Sequence, residues 1–249
     1  ITVMSLKTKK KLLNSWEAKM SRKTTEPFKV TCKLLDGRIN RISELINFDG
    51  ILYHAWFEKH APEVLNGTMK KSSRHMDFGL PLTVLHDGRY ASSVGFYRQY
   101  DQSIEYWNKR PDFTSGKNCK YLDAKGKIDI SSGTLKAYHF PNVIRTISEI
   151  EFYGVGTIDK IRDLLSYIPA VGKKPAAGWG AVKEWIVEPF PEDWSTEGKY
   201  GLMRPMPIDE YEPKEKDTYR IMEAGTLPPY RKGVKRKLCY IPKVIINDN

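Results

Sequence analysis

From Phe28 to Leu34 apolar and polar residues take turns, with Phe28, Val30, Cys32 and Leu34 set against Lys29, Thr31 and Lys33. A period of two belongs to a half-buried strand, which is therefore predicted over FKVTCKLL. The period then lengthens. In FDGILYHAWFEKH, Phe48, Ile51, Leu52, Ala55 and Trp56 recur at i, i+3, i+4, i+7 and i+8. That spacing puts them on one face of a helix, which Pro62 and Gly67 close. Strand-like stretches follow at ASSVGFY (91–97), TLKAYHF (134–140) and VIRTISEIEFY (143–153), joined by a loop holding Pro111, Gly116 and Gly126. A second helix is predicted over GTIDKIRDLLSYI, where Ile158, Ile161, Leu164, Leu165 and Ile168 share one arc, Thr157 stands at the N-cap and Pro169 ends the run. AVKEWIVE (181–188) again reads as a strand.

Strand, helix, strands, helix, glycine loop, strand is the order of a β-α-β-β-α-β unit, so the expected class is α+β. Both helices are expected on one face of an antiparallel sheet, with the other face left to insertions or a ligand. Three stretches differ in composition. Residues 1–26 form a basic arm, with Lys7, Lys9, Lys10, Lys11, Lys19, Arg22 and Lys23 against Glu17 and Glu26. Either a partner orders it or it is a solvated tail. Residues 27–200 hold the domain with its inserted strands and loops. Residues 201–249 form a basic, Pro-rich extension.

Charge narrows the partner. Lys and Arg number 41 against 30 Asp and Glu, a formal net charge of +11. Such an excess points to a polyanion, most simply nucleic acid. The three cysteines, Cys32, Cys119 and Cys239, are far apart and make no CxxC pair. Neither a disulfide framework nor a zinc site is expected, which fits a reducing, cytoplasmic setting. No apolar run approaches the ~18 residues a membrane helix needs, and the N-terminal stretch does not read as a secretory signal.

The segment VGKKPAAGWGAVKEWIVE, residues 171–188, concentrates the candidate chemistry. It is no phosphate-binding P-loop, because no Ser or Thr follows the lysines and the order is helix, loop, strand. It is no dinucleotide fingerprint either, because it does not open a helix. What remains is bare backbone. Gly172, Gly178 and Gly180 permit positive φ and close approach, and successive N–H groups in such turns can form an anion nest. Lys173 and Lys174 add charge. Trp179 either offers a face on which an unpaired base stacks or packs down on the core; both readings stand.

The stretch YGVGTIDKIRDLLSYIPAVGKKPAAGWGAVKEWIVE resembles the glycine-rich-loop region of the CRISPR-associated RAMP superfamily. There a helix leads into G-[KR]-x-x-x-x-G-[FWY]-G before the final strand of a ferredoxin-like (RRM-like) domain. More narrowly, it is similar to the type IV effector-complex subunit that caps the five-prime end of the guide RNA. FDGILYHAWFEKH, GLPL (79–82), ASSVGFY, SGTLKAYHF (132–140), GLMRPMP (201–207) and a late PPYRK…CYIP carry that narrower resemblance, which spans about 28–243. It implies a non-catalytic subunit that binds the repeat-derived handle of a guide RNA and docks on the large and backbone subunits, meeting target DNA only indirectly. It places RNA contacts at Gly172, Lys173, Lys174, Gly178, Trp179 and Gly180. Arg98, Lys136, Arg145 and Arg204 lie in matching segments and are further candidates for phosphate. The run Arg231, Lys232, Lys235, Arg236 and Lys237 adds five cations within seven residues.

The alternative function is a metal-independent endoribonuclease that processes CRISPR repeat RNA. Such chemistry needs a histidine to move protons, with Lys or Tyr beside it. His54 stands four residues before Glu58, the spacing of an ordinary surface pair on a helix. His139 follows Tyr138 and lies near Lys136, but neighbours on a strand point to opposite faces. With no HxxxH motif, no tight carboxylate cluster and no Gly-x-Ser-x-Gly, neither a metal nor a cofactor is expected.

Overall fold

A computed structural model describes residues 25–40, 45–65, 79–110, 130–132, 136–213, 219–230 and 236–246. The alternation at the start of the domain becomes strand β1 (Glu26–Leu34), whose Phe28, Val30, Cys32 and Leu34 are all buried. A 3-residue β2 (Arg38–Asn40), helix α1 (Phe48–His60) and a single turn α2 (Pro62–Leu65) follow. Strands β3 (Gln99–Lys109), β4 (Tyr138–Ile147) and β5 (Glu149–Gly156) lead to helix α3 (Ile158–Leu165) and strand β6 (Val182–Pro189). Short strands β7 (Glu197–Gly198), β8 (Gly201–Leu202) and β9 (Met206–Pro207), then β10 (Arg220–Ala224) and β11 (Lys237–Ile241), complete the chain.

β1 is the centre of the fold. It pairs antiparallel with β5 on one edge and β6 on the other, so that Val30 faces Phe152 and Val187. Helices α1 and α3 pack on each other, and α3 packs on β6. Between helices and sheet, Phe48 lies 5.7 Å from Phe28 and 5.1 Å from Phe152, ring centre to ring centre. Each such buried side chain contributes about 1.5–3 kcal/mol through the water it sheds. The Trp185 indole N–H donates to Ile168 O at 3.0 Å, fastening the exit of α3 to β6.

Several expectations shift. Helix α3 stops at Leu165, short of Ile168, because the amides of Tyr167 and Ile168 turn to the carbonyls of Leu164 and Leu165 and tighten the last turn. Thr157 occupies the N-cap position, but its hydroxyl makes no capping hydrogen bond. ASSVGFY is buried throughout, yet it forms isolated bridges in place of a strand. Ser92 and Phe96 meet Gly154 and Glu151 on the edge of β5 away from β1, while Val94 and Gly95 donate to Met203 O and Ile46 O. With Thr83 and Val244 also accepting, from Ala91 and Tyr97, its backbone is shared among five neighbouring segments, which breaks the ladder.

VIRTISEIEFY is not one strand. The chain changes sheets at Ser148, leaving β4 in a second sheet of order β2-β4-β3 while β5 joins β1. Strand β3 falls in a stretch where no strand was expected. Nearly all its residues are exposed, so QYDQSIEYWNK shows no one-sided burial pattern to read.

The sheet face away from the helices is covered by residues 190–200. Tyr153 packs on Phe190 and Trp194, with centroids 5.2 and 5.0 Å apart, and Tyr200 stacks on Phe96 at 5.0 Å. Beneath them Glu151 accepts from Lys29 Nζ at 2.6 Å, Tyr153 OH at 2.9 Å and Tyr200 OH at 3.0 Å. Burial alone would raise the Glu151 carboxyl, but the Lys29 ammonium and the hydroxyls outweigh it and hold it below its usual range. A second polar bolt ties residues after 200 to α1. Asp49, in the first turn, accepts from Tyr230 OH at 2.8 and 2.7 Å on its two oxygens, and the Tyr230 ring sits against Gly50 and Gly225. Burial pushes the Asp49 carboxyl up, countered in part by the charge of Arg204 and by the Tyr230 hydroxyl.

Tyr230→Phe removes a donor from a fully buried carboxyl group and should cost about 1–3 kcal/mol, read as a lower urea midpoint with unchanged m-value. Glu151 has a depressed folded-state pKa, so its contribution is present above the usual 4.5 and fades as pH falls below it. Glu151→Gln should therefore be less stable than the parent at neutral pH and show a flatter loss of stability in acid, measured by urea unfolding across that range.

Candidate nucleic-acid interface

The glycine segment leaves α3 through Pro169 and returns into β6 as a closed loop. Val171 N donates to Gly180 O at 2.8 Å, and Ala170 and Ala181 form a bridge at its neck. Gly180 has a φ of 72°, and a Cβ there would collide with the Val171 carbonyl, so only glycine lets the neck close. Between the ends, Pro175–Ala177 make one turn of 3-10 helix flanked by Lys174 and Gly178, both in the left-handed region.

The loop caps the outer edge of β2. Gly180 N donates to Arg38 O at 2.7 Å and Lys173 N to Asn40 O at 3.2 Å. β2 in turn pairs with β4 and β4 with β3. The loop, β2 and the long β3–β4 hairpin thus form one continuous surface.

Within it the predicted residues divide. The backbone amides of Val171, Lys173, Ala177, Gly178 and Gly180 all donate to carbonyls of the chain itself, so these five do not form the expected anion nest. Trp179 is 3% exposed and packs 5.4 Å from Trp107 of β3. The ring is thus buried beside another indole, the packing that the sequence left open alongside base stacking. Lys174 turns inward: its Nζ stands 3.3 Å above the Trp107 ring and 3.1 Å from Asn142 Oδ1. Gly172, Lys173 and Gly178 remain exposed on the loop.

Other candidates sit nearby. Arg145, on β4 opposite Ile39, donates to Tyr97 OH at 2.9 Å and to Gln102 Oε1 at 3.3 Å, and is half-buried. Arg98, next to Tyr97, and Lys136, just before β4, are exposed. His139 stacks on Tyr106 across the hairpin, with centroids 4.4 Å apart and planes 9° from parallel, and its Nδ1 meets Asn108 Oδ1. Exposed His54 lies on α1 with Nε2 3.6 Å from Glu58, the surface pair its spacing predicts.

The remaining cations stand elsewhere. Arg204 is 3% exposed and donates to the carbonyls of Tyr90 and Thr226, so it braces the fold and reaches no phosphate. Lys237 pairs with Glu210 and approaches Asp209 at 4.0 Å, while exposed Arg236 donates to Glu223 O at 2.6 Å. Arg231, Lys232 and Lys235 lie outside the described residues, as do residues 1–24 of the basic arm. Trp107, Asn40 and Asn142 had no place in the sequence reading, although Asn40 Nδ2 donates to Asn142 Oδ1 at 3.1 Å directly beneath the loop. The only sequence signal for Trp107 was a run of aromatics, YW, in a stretch without a burial period.

The model of the family described as CRISPR type IV associated protein Csf3 matches residues 26–242. No curated protein matches the chain. Among solved structures, a chain of the Csm3-Csm4 subcomplex in the type III-A CRISPR-Cas interference complex aligns at 9% identity and a TM-score of 0.37. That alignment covers 87% of this chain and 90% of that one. Cmr6 from Pyrococcus furiosus aligns at 9% identity and a TM-score of 0.25, over 67% of this chain and 97% of that one.

Trp179→Ala should behave as a core truncation. It is expected to cost about 3 kcal/mol of unfolding free energy, read from chemical denaturation, and more than the same change at exposed Lys173.

Proposed function

Because the chain belongs to the CRISPR type IV associated protein Csf3 family, we propose that it is a non-catalytic guide-RNA-binding subunit of a type IV effector ribonucleoprotein. In that role it caps the five-prime handle of the guide RNA and docks on the large and backbone subunits. The observation that carries this reading is the loop geometry. A segment matching G-[KR]-x-x-x-x-G-[FWY]-G is fastened along β2 with Lys173 and bare glycine backbone turned outward, beside a hairpin that exposes Tyr106, Tyr138 and Phe140. Cations flanked by exposed aromatics suit a single-stranded backbone with unpaired bases.

The arrangement also supports a ferredoxin-like core. Residues 92–96, β5, β1 and β6 lie side by side in that order, with α1 after the first strand and α3 after the third. That is the strand order a β-α-β-β-α-β unit takes when its two helices cross one face. Binding without cleavage is favoured by where the histidines stand: His54 pairs with Glu58, and the ring of His139 is held against Tyr106 and Asn108.

Repeat RNA incubated with the full chain in EDTA should stay intact while binding saturably, read on a denaturing gel and by fluorescence anisotropy. The logarithm of affinity should fall linearly with the logarithm of salt concentration, at about −0.7 per phosphate contacted. Lys173→Ala should flatten that slope by roughly 0.7. An unchanged slope would remove the loop from the interface, and RNA cleavage abolished by His139→Ala would establish the ribonuclease instead.

A further inference from the structure

Two adjacent lysines in the loop have the same chemistry and opposite surroundings. Lys173 is exposed, and among the described residues it is engaged through its backbone, with Asn40 O. Lys174 is half-buried at φ 61° and ψ 53°, a left-handed conformation that a residue with a Cβ rarely adopts. What holds it there is visible. Its ammonium caps the Trp107 face at 3.3 Å, reaches Asn142 Oδ1 at 3.1 Å and lies 5.4 Å from the Phe140 ring. Asn142 is itself buried, and the same Oδ1 also accepts from Asn40 Nδ2 of β2 at 3.1 Å. Trp107 meets Trp179, five residues beyond Lys174 in the same loop. The contacts close a ring: loop to β3 through Lys174 and Trp179, β3 to β4 by pairing, β4 to β2 through Asn142 and Asn40, and β2 back to the loop through Asn40 O.

We infer that Lys174 is a positioning residue and not a phosphate ligand, clasping the glycine loop to the β3–β4 hairpin so that both elements meet RNA as one preset surface. This rests on the RNA-binding reading above. The physical reason is competition for one cation. An ammonium seated over an indole and bonded to a buried amide oxygen has exchanged part of its water for fixed partners, and reaching a phosphate would abandon them. Lys173 supplies the loop's charge to the backbone, and Lys174 supplies its shape. An unclasped loop must be ordered as RNA arrives, which weakens binding at every salt concentration without changing how many counterions are released.

The test compares Lys173→Ala, Lys174→Met and Lys174→Arg in the full chain with fluorescein-labelled CRISPR repeat RNA, together with acrylamide quenching of tryptophan fluorescence in the free protein. Lys174→Met is expected to weaken binding roughly two- to thirtyfold at an unchanged salt slope and to raise quenching as the Trp107–Trp179 pair opens. Lys174→Arg, which can still lie over the indole, should restore most of the affinity and the protected fluorescence. A slope flattened by about 0.7 in Lys174→Met would make Lys174 a phosphate ligand and overturn the inference. Quenching in Lys174→Met equal to the parent would overturn it as well, because the clasp would then hold nothing. If the parent protein binds no repeat RNA, the proposed function falls, and the quenching comparison still decides whether the clasp exists.

Discussion

The candidate interface depends on the closure of one loop neck, where Val171 donates to Gly180 O and Gly180 donates in turn to Arg38 O. Two strands of backbone approach there so closely that any side chain at position 180 would strike a carbonyl. The shut neck ties both ends of the loop beside β2 and leaves its interior to be set by the loop's own contacts. Lys173 meets Asn40 O through its amide, Lys174 turns under the hairpin, and Trp179 goes down beside Trp107. A left-handed lysine costs roughly 1–2 kcal/mol of backbone energy, so the contacts of its own side chain must offset it.

The sequence showed the elements whose burial is one-sided. β1 and α3 present an apolar period to the core, and these two, with α1 and β6, were each readable to within a few residues. What escaped are parts governed by other forces. β3 is a strand because β4 pairs with it along its whole length, from Gln99 opposite Ile147 to Lys109 opposite Tyr138. Ladder pairing leaves no mark on hydropathy when both faces are solvated. ASSVGFY has the composition of a buried strand, but composition does not record that Met203 and Ile46 compete with β5 for its amides.

The candidate site was legible in the same uneven way. The motif located the loop, and the glycine spacing announced positive φ, which the backbone shows at Gly172, Gly178 and Gly180. Which side chain faces solvent was not written there. Lys173 and Lys174 are indistinguishable as letters, and a tryptophan five residues after them admits both a stacking platform and a packed ring until Trp107, more than seventy positions away in the chain, is brought against it. Contacts of that range enter only with tertiary structure.

The same consideration governs the charge. A net +11 invites the view that the cations form one attractive surface, yet many of the best-placed ones are engaged within the fold. Lys29 serves Glu151, Lys59 joins α1 to Asp163 on α3, and Arg89 is buried between Asp87 and Glu210. Arg204 and Lys237 brace the segments after residue 200. An ammonium already neutralised by a carboxylate a few ångströms away releases few counterions from a nucleic acid, because its field is largely spent. Under the proposed function, affinity for RNA should therefore follow a few outward-facing groups, Lys173 first among them, and not the total charge of the chain.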